Sequence, residues 1–185
     1  MRVTFLPNLL TLLRMLLVPI FLTSCFVMPE SSLVPTVIFM LASLTDWLDG
    51  FIARHYNVSS SFGAFLDPIA DKVLVVSALL VLVYMQHSMW MLLCAIMIIT
   101  REIVVTALRA WMASIGQQQA VKVQWIGRVK ASFQMLGITT CLCGMALHIQ
   151  LVSSFGLCLI ILSVLLTLYS LYQYLHASWD HLAFS

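Results

Sequence analysis

Asp46, Asp49, Asp67 and Asp71 stand in one short stretch of a 185-residue chain that has only seven acidic residues in all. A carboxylate inside a membrane segment costs at least about 2.5 kcal/mol on insertion scales, so four gathered in one stretch are expected to be functional. Asp46 and Asp49 are three residues apart, and Asp67 and Asp71 are four apart. Those spacings put each pair on a single face of its own helix. Antiparallel packing of the two helices would then bring four carboxylates into one cluster. Left alone, such a cluster forces protons onto itself, because like charges at short range raise one another's pKa. Divalent cations resolve the conflict. All-oxygen ligation suits Mg²⁺ or Mn²⁺, and no His or Cys stands in the pattern to favour zinc. Two such ions held roughly 4 Å apart stabilise both the attacking and the leaving oxygen in displacement at phosphorus. A purely structural ion-paired cluster would need about as many cations as carboxylates, and only Arg54 and Lys72 are close in sequence.

The residues between the aspartates fit the same chemistry. Gly50, Ala53 and Gly63 remove bulk where a backbone must approach a ligand or a neighbouring helix. Arg54 supplies a fixed cation suited to a bidentate grip on phosphate.

The elements that position these groups are membrane spans. Apolar residues make up 62% of the chain and charged residues 9%; mean hydropathy is +1.05. Soluble domains carry about 25% charged residues, so the composition excludes an ordinary soluble enzyme and predicts an all-α integral membrane protein. A bilayer core needs roughly 20 apolar residues per helix. Six stretches qualify, near 8–28, 34–53, 68–86, 89–113, 131–149 and 151–175. Little chain remains beyond them, so residues 1–185 read as a single membrane domain. Arg2 and Arg14 precede or open the first span, Arg54 and Lys72 flank the loop after the second, and Arg101, Arg109, Lys122, Arg128 and Lys130 surround the connection after the fourth. The connections around 29–35, 86–89 and 148–152 hold no Lys or Arg. The positive-inside rule therefore predicts both termini and the aspartates on the cytoplasmic side of a multi-pass protein.

Several local readings follow. Pro7 and Asn8 suit a helix start, with residues 1–6 as a short surface segment before it, and Pro19 is expected to kink the first span. The polar run His55–Ser61 reads as a loop, with the third span opening around Gly63–Pro68. The run Ser114–Gln124, with Gly116 and three glutamines, reads as a cytoplasmic loop. Cys25, Cys94, Cys141, Cys143 and Cys158 lie in apolar runs, where cysteine acts as a small hydrophobe. Leu22-Thr23-Ser24-Cys25 resembles the end of a lipoprotein signal. Arg14 interrupts that run, however, and cleavage would discard polar residues assigned to the site, so the first span is read as retained. Trp90, Trp125, Tyr174 and Trp179 fit an interfacial belt, and no His is assigned chemistry.

The spaced pattern resembles the signature of the CDP-alcohol phosphatidyltransferase family, D-x2-D-G-x2-A-R-x8-G-x3-D-x3-D. Asp46, Asp49, Gly50, Ala53, Arg54, Gly63, Asp67 and Asp71 fill every specified position. The resemblance implies a six-helix membrane enzyme, usually dimeric, that moves a phosphatidyl or related group from a CDP-linked donor to an alcohol and releases CMP. It also implies that Asp46, Asp49, Asp67 and Asp71 bind two divalent ions and that Asp71 takes the proton of the acceptor hydroxyl. Gly50, Ala53 and Gly63 would line the cytidine pocket, and Arg54 would help hold the donor.

The acceptor must be read from other polar groups. Arg101, Arg109, Lys122, Arg128 and Lys130 on the same side suit a doubly charged phosphate, against the plainer reading of a cytoplasmic flank. Pro7–Arg14, Arg101–Arg109 and Gly127–Lys130 running to Met135 resemble the bacterial branch of the family that uses glycerol 3-phosphate. The branch usually has Lys where Arg128 stands and Thr where Ala131 stands. The charge survives the first change, and Ser132 is next to the second. The expectation is transfer from CDP-diacylglycerol to sn-glycerol 3-phosphate in the bacterial inner membrane. Arg101, Arg109, Arg128 and Lys130 would hold the acceptor phosphate, and Asn8, Thr11 and Arg14 would shape the donor site. Membrane lipid and a second copy of the chain are the expected partners, and nucleic acid is not. Alternatives are a cardiolipin synthase using phosphatidylglycerol, a divalent-cation transporter, whose pathway would have no use for Arg54, and a scaffold.

Overall fold

The computed structural model describes the backbone of residues 5–29, 31–56, 61–116 and 125–182, and side-chain surroundings for 12–29, 31–45, 69–116 and 129–173. The described residues form six α-helices, α1 Phe5–Val27, α2 Val34–Tyr56, α3 Ser61–Gln86, α4 Met89–Ser114, α5 Trp125–Ala146 and α6 Gln150–Leu182. No strand occurs among the described residues. The six apolar stretches correspond one to one with these helices. In α3, α4 and α6, Ile69–Gln86, Met89–Ser114 and Gln150–Gln173 are long and apolar enough to cross a membrane; Leu12–Val27 and Val34–Thr45 are shorter apolar stretches.

Helix ends differ from the sequence expectations because hydropathy marks where lipid ends, while the hydrogen-bond ladder continues into polar residues. Phe5 and Leu6 are already helical, so no separate segment covers all of residues 1–6. Pro7 then falls in the first turn, where its missing N–H has no helical partner to lose. Helix α1 runs on through Pro19. His55, Tyr56 and Ser61 belong to α2 and α3, which shortens the expected His55–Ser61 loop from both ends and makes Gly63 helical. The predicted loop Ser114–Gln124 begins as expected, since α4 ends at Ser114 and Gly116 takes a φ of +76°. The remainder of that loop lies outside the described residues. Helix α6 continues to Leu182, beyond the expected end near 175.

The helices pack in an order that hydropathy does not show. Helix α1 lies against α2 and α3, α4 against α6 and α3, and α5 against α6. The α5–α6 contact is close because of glycine. A Cβ on Gly156 would lie 2.6 Å from the backbone nitrogen of Cys141, and one on Gly137 would lie 2.7 Å from Ile160 Cγ1. A Cβ on Gly144 would collide with the backbone of Ser153. Small residues that let backbones approach are the usual basis of helix association in lipid, where hydrophobicity gives no net drive.

Phe21, Phe39, Leu74, Leu79, Leu82, Met91, Ile98, Ile138 and Ile160 form the interior. Leu16, Leu80, Ile103, Leu136 and Leu165 each leave more than half their surface exposed. Apolar exposure on this scale would be an aggregation surface in water and is the natural face for lipid.

Candidate functional site

The aspartate pattern straddles the α2–α3 connection. Asp46, Asp49, Gly50, Ala53 and Arg54 lie on the last turns of α2, and Gly63, Asp67 and Asp71 on the first turns of α3, with helical backbone at all of them. The two expected helices are therefore present, and the connection between them, residues 57–60, lies outside the described residues. The side chains of Asn8, Thr11, Asp46, Asp49, Ala53, Arg54, Asp67 and Arg128 lie outside the described residues. Asp71 is half-buried and has a polar or electrostatic partner. Arg14 is fully buried on α1 and is likewise engaged. Among the described residues no group of three His, Cys, Asp or Glu comes together. Within the pattern, Asp71 is the one carboxylate whose surroundings are described. As a donor set, four carboxylates on two successive helix ends fit hard divalent cations, which take oxygen ligands.

Beside Asp71, four helices converge on a second polar cluster. Lys72 of α3 donates to the hydroxyl of Thr106 on α4. Thr106 in turn donates to the carbonyl of Glu102 one turn earlier, at 2.6 Å. Glu102 Oε1 accepts from Arg101 Nη1 at 2.8 Å and from Lys130 Nζ of α5 at 2.5 Å. The other arm of the guanidinium, Arg101 Nη2, donates to Ser170 Oγ on α6 at 2.9 Å. Arg101 and Lys130 are 4% and 6% exposed, so both charges are held in a setting where Coulomb forces are weakly screened. Lys130 also feels the positive charges of Arg101 and Arg109, and Glu102 feels that of Lys72.

Of the four cations expected to meet an acceptor phosphate, the structure joins Arg101 and Lys130 through one carboxylate. Arg109 stands two turns further along α4, half-buried and engaged. The reading by residue type missed Glu102 as the hub and missed the α6 contribution. Ser163, Thr167 and Ser170 are all buried on α6, and the Thr167 hydroxyl has no hydrogen-bond partner. Their spacing of four and three was the available signal, since it puts three hydroxyls on one face of the apolar middle of the helix.

A cavity of about 660 Å³ lies at the other end of the bundle, lined by Cys25, Tyr84, Gln86, His87, His148 and Ser153 among others. Gln86 Nε2 reaches Ser153 Oγ there at 3.2 Å. It is remote from the aspartates and holds no described Lys, Arg, Asp or Glu, so it is not a candidate for phosphate chemistry.

The fold and site together define an all-helical protein of membrane type, with carboxylates and buried cations concentrated at one end of the bundle. Residues 4–177 match the CDP-alcohol phosphatidyltransferase family, and the chain belongs to that family. It is similar to proteins named CDP-diacylglycerol–glycerol-3-phosphate 3-phosphatidyltransferase. The Salmonella choleraesuis protein is 44% identical over 174 residues, covering 93% of each chain. The Shigella flexneri serotype 5b protein is 44% identical and the Sodalis glossinidius protein 43% identical over the same length and coverage.

Proposed function

We propose that this chain transfers the phosphatidyl group of CDP-diacylglycerol to sn-glycerol 3-phosphate, giving phosphatidylglycerophosphate and CMP. The observation that carries the choice of acceptor is the pair of buried cations, Arg101 and Lys130, clasped by Glu102 beside Lys72. A dianionic phosphate is the natural ligand for such a pair. The names of the similar proteins support the same acceptor.

The donor lies along α2 and α3, with Gly50, Ala53 and Gly63 admitting the cytidine and Arg54 gripping its diphosphate. Asn8, Thr11 and Arg14 of α1 complete that side. Asp46, Asp49, Asp67 and Asp71 would hold two divalent ions, Mg²⁺ or Mn²⁺, which offset charge on the diphosphate when bound. Arg101, Arg109, Arg128 and Lys130 hold the acceptor phosphate and point its C1 hydroxyl toward the donor. Asp71 accepts the hydroxyl proton as the C1 oxygen bonds to the β-phosphorus and the bond to the bridging oxygen breaks, with that oxygen leaving on CMP. Holding both reactants in line converts an encounter in solution into a local step.

The protein is read as a six-span, multi-pass homodimer of the bacterial inner membrane, a reading that its long apolar helices support. The cation-rich end, both termini and the site face the cytoplasm, as the positive-inside rule requires.

Acceptor competition tests the proposal. Purified protein supplied with CDP-diacylglycerol and Mn²⁺ should release CMP with glycerol 3-phosphate in preference to serine, inositol phosphate or phosphatidylglycerol. Preference for phosphatidylglycerol would make it a cardiolipin synthase. Divalent-cation flux without nucleotide turnover would make it a transporter.

A further inference from the structure

We propose that Glu102 is a positioning residue that presets Arg101 and Lys130 for the acceptor phosphate. This rests on the reading that those two cations take that phosphate.

Adjacent residues on a helix do not face each other. The 2.8 Å bond between Arg101 and its neighbour Glu102 therefore requires both side chains to turn toward a common point. Two other helices fix that point. Lys130 reaches the same Oε1 from α5, and Ser170 holds the other arm of the guanidinium from α6. Arg101 is thus clamped on both sides, and Lys130 is drawn to within one carboxylate oxygen of it.

The charge balance points the same way. Two cations at 4% and 6% exposure repel one another, and a buried charge without a counter-ion is costly. One carboxylate between them stabilises the pair, and the charges of Lys72 on α3 and Arg109 on α4 act on the same cluster. A carboxylate placed only to neutralise would need neither the shared oxygen nor the anchor on α6. Bringing two donors to one point before the ligand arrives lowers the ordering cost of binding.

The test is a split of kinetic parameters in detergent-solubilised full-length protein with CDP-diacylglycerol. Glu102→Gln should raise KM for glycerol 3-phosphate by about tenfold, as expected for loss of charge-assisted hydrogen bonds, while KM for the donor and kcat stay close to wild type. Glu102→Asp keeps the charge but shortens the reach, and should raise the same KM by a smaller factor; it decides the matter if the Gln variant does not fold. An acceptor KM at the wild-type value in a folded variant overturns the inference, as does parallel loss in kcat and both KM values. Arg101→Met and Lys130→Met separate the two levels. If neither raises the acceptor KM, the assignment of the acceptor site itself fails; if both do and the Glu102 variants do not, only the role of Glu102 falls.

Discussion

Lys72 on α3 is tied to Thr106 on α4 by a side-chain hydrogen bond, so the residue next to Asp71 is fixed to the helix that carries Arg101 and Glu102. This link joins the proposed base to the proposed acceptor-phosphate site. Thr106→Val keeps the shape and removes the hydroxyl. A single hydrogen bond contributes about 1 kcal/mol net, so kcat/KM should fall roughly fivefold. Thermal unfolding in detergent should be nearly unchanged, because Thr106 is exposed. A variant with wild-type kcat/KM would show that the link is incidental.

Replacing Asp71 by Asn keeps the volume and removes the proposed base. General-base catalysis contributes about 10²- to 10⁴-fold, and CMP release should drop by that order. Helical circular dichroism should match that of the unaltered protein. Release within tenfold of wild type would shift the base to another group.

Chelation should abolish turnover, and added Mg²⁺ or Mn²⁺ should restore it, if the four carboxylates hold hard cations as proposed. The same ions should raise the unfolding temperature of the protein with CDP-diacylglycerol present, by linkage to binding. Full activity in excess chelator would remove the metal role assigned to the four aspartates.

Gly144→Ala and Gly156→Ala should destabilise the α5–α6 pair, because the added Cβ meets the backbones of Ser153 and Cys141. Overpacking of this kind costs about 1–3 kcal/mol. Gly116→Ala is the comparison. Nothing lies within 4 Å of its Cβ, and its cost comes only from the left-handed φ of +76°, which a non-glycine residue adopts at about 1 kcal/mol. Unfolding in detergent should rank the first two below the third, and the reverse order would contradict the close α5–α6 approach.

Some of this protein was legible in its residues and some was not. The number of helices could be read because each apolar run must satisfy its own backbone in lipid, and a helix does so with local bonds alone. The aspartate pattern was legible for a similar reason, since spacings of three and four are local properties of a helix. Residue type also singled out Arg101 and Lys130, because charge is rare in so apolar a chain. The bounds His55, Tyr56 and Ser61 were misread because polarity ends a membrane span without ending a helix.

What the tertiary structure decided is which cations share a partner. Arg101, Glu102, Lys130 and Ser170 come from three helices, and lipid-embedded helices carry little periodicity to say which faces meet. Gly137, Gly144 and Gly156 decide that, through backbone approach, which acts only between segments already side by side. The sequence alone therefore determined the apolar helices and the placement of the carboxylates along them, which depend on neighbours along the chain. Only the packed bundle determined the clasp around Glu102, which depends on neighbours in space.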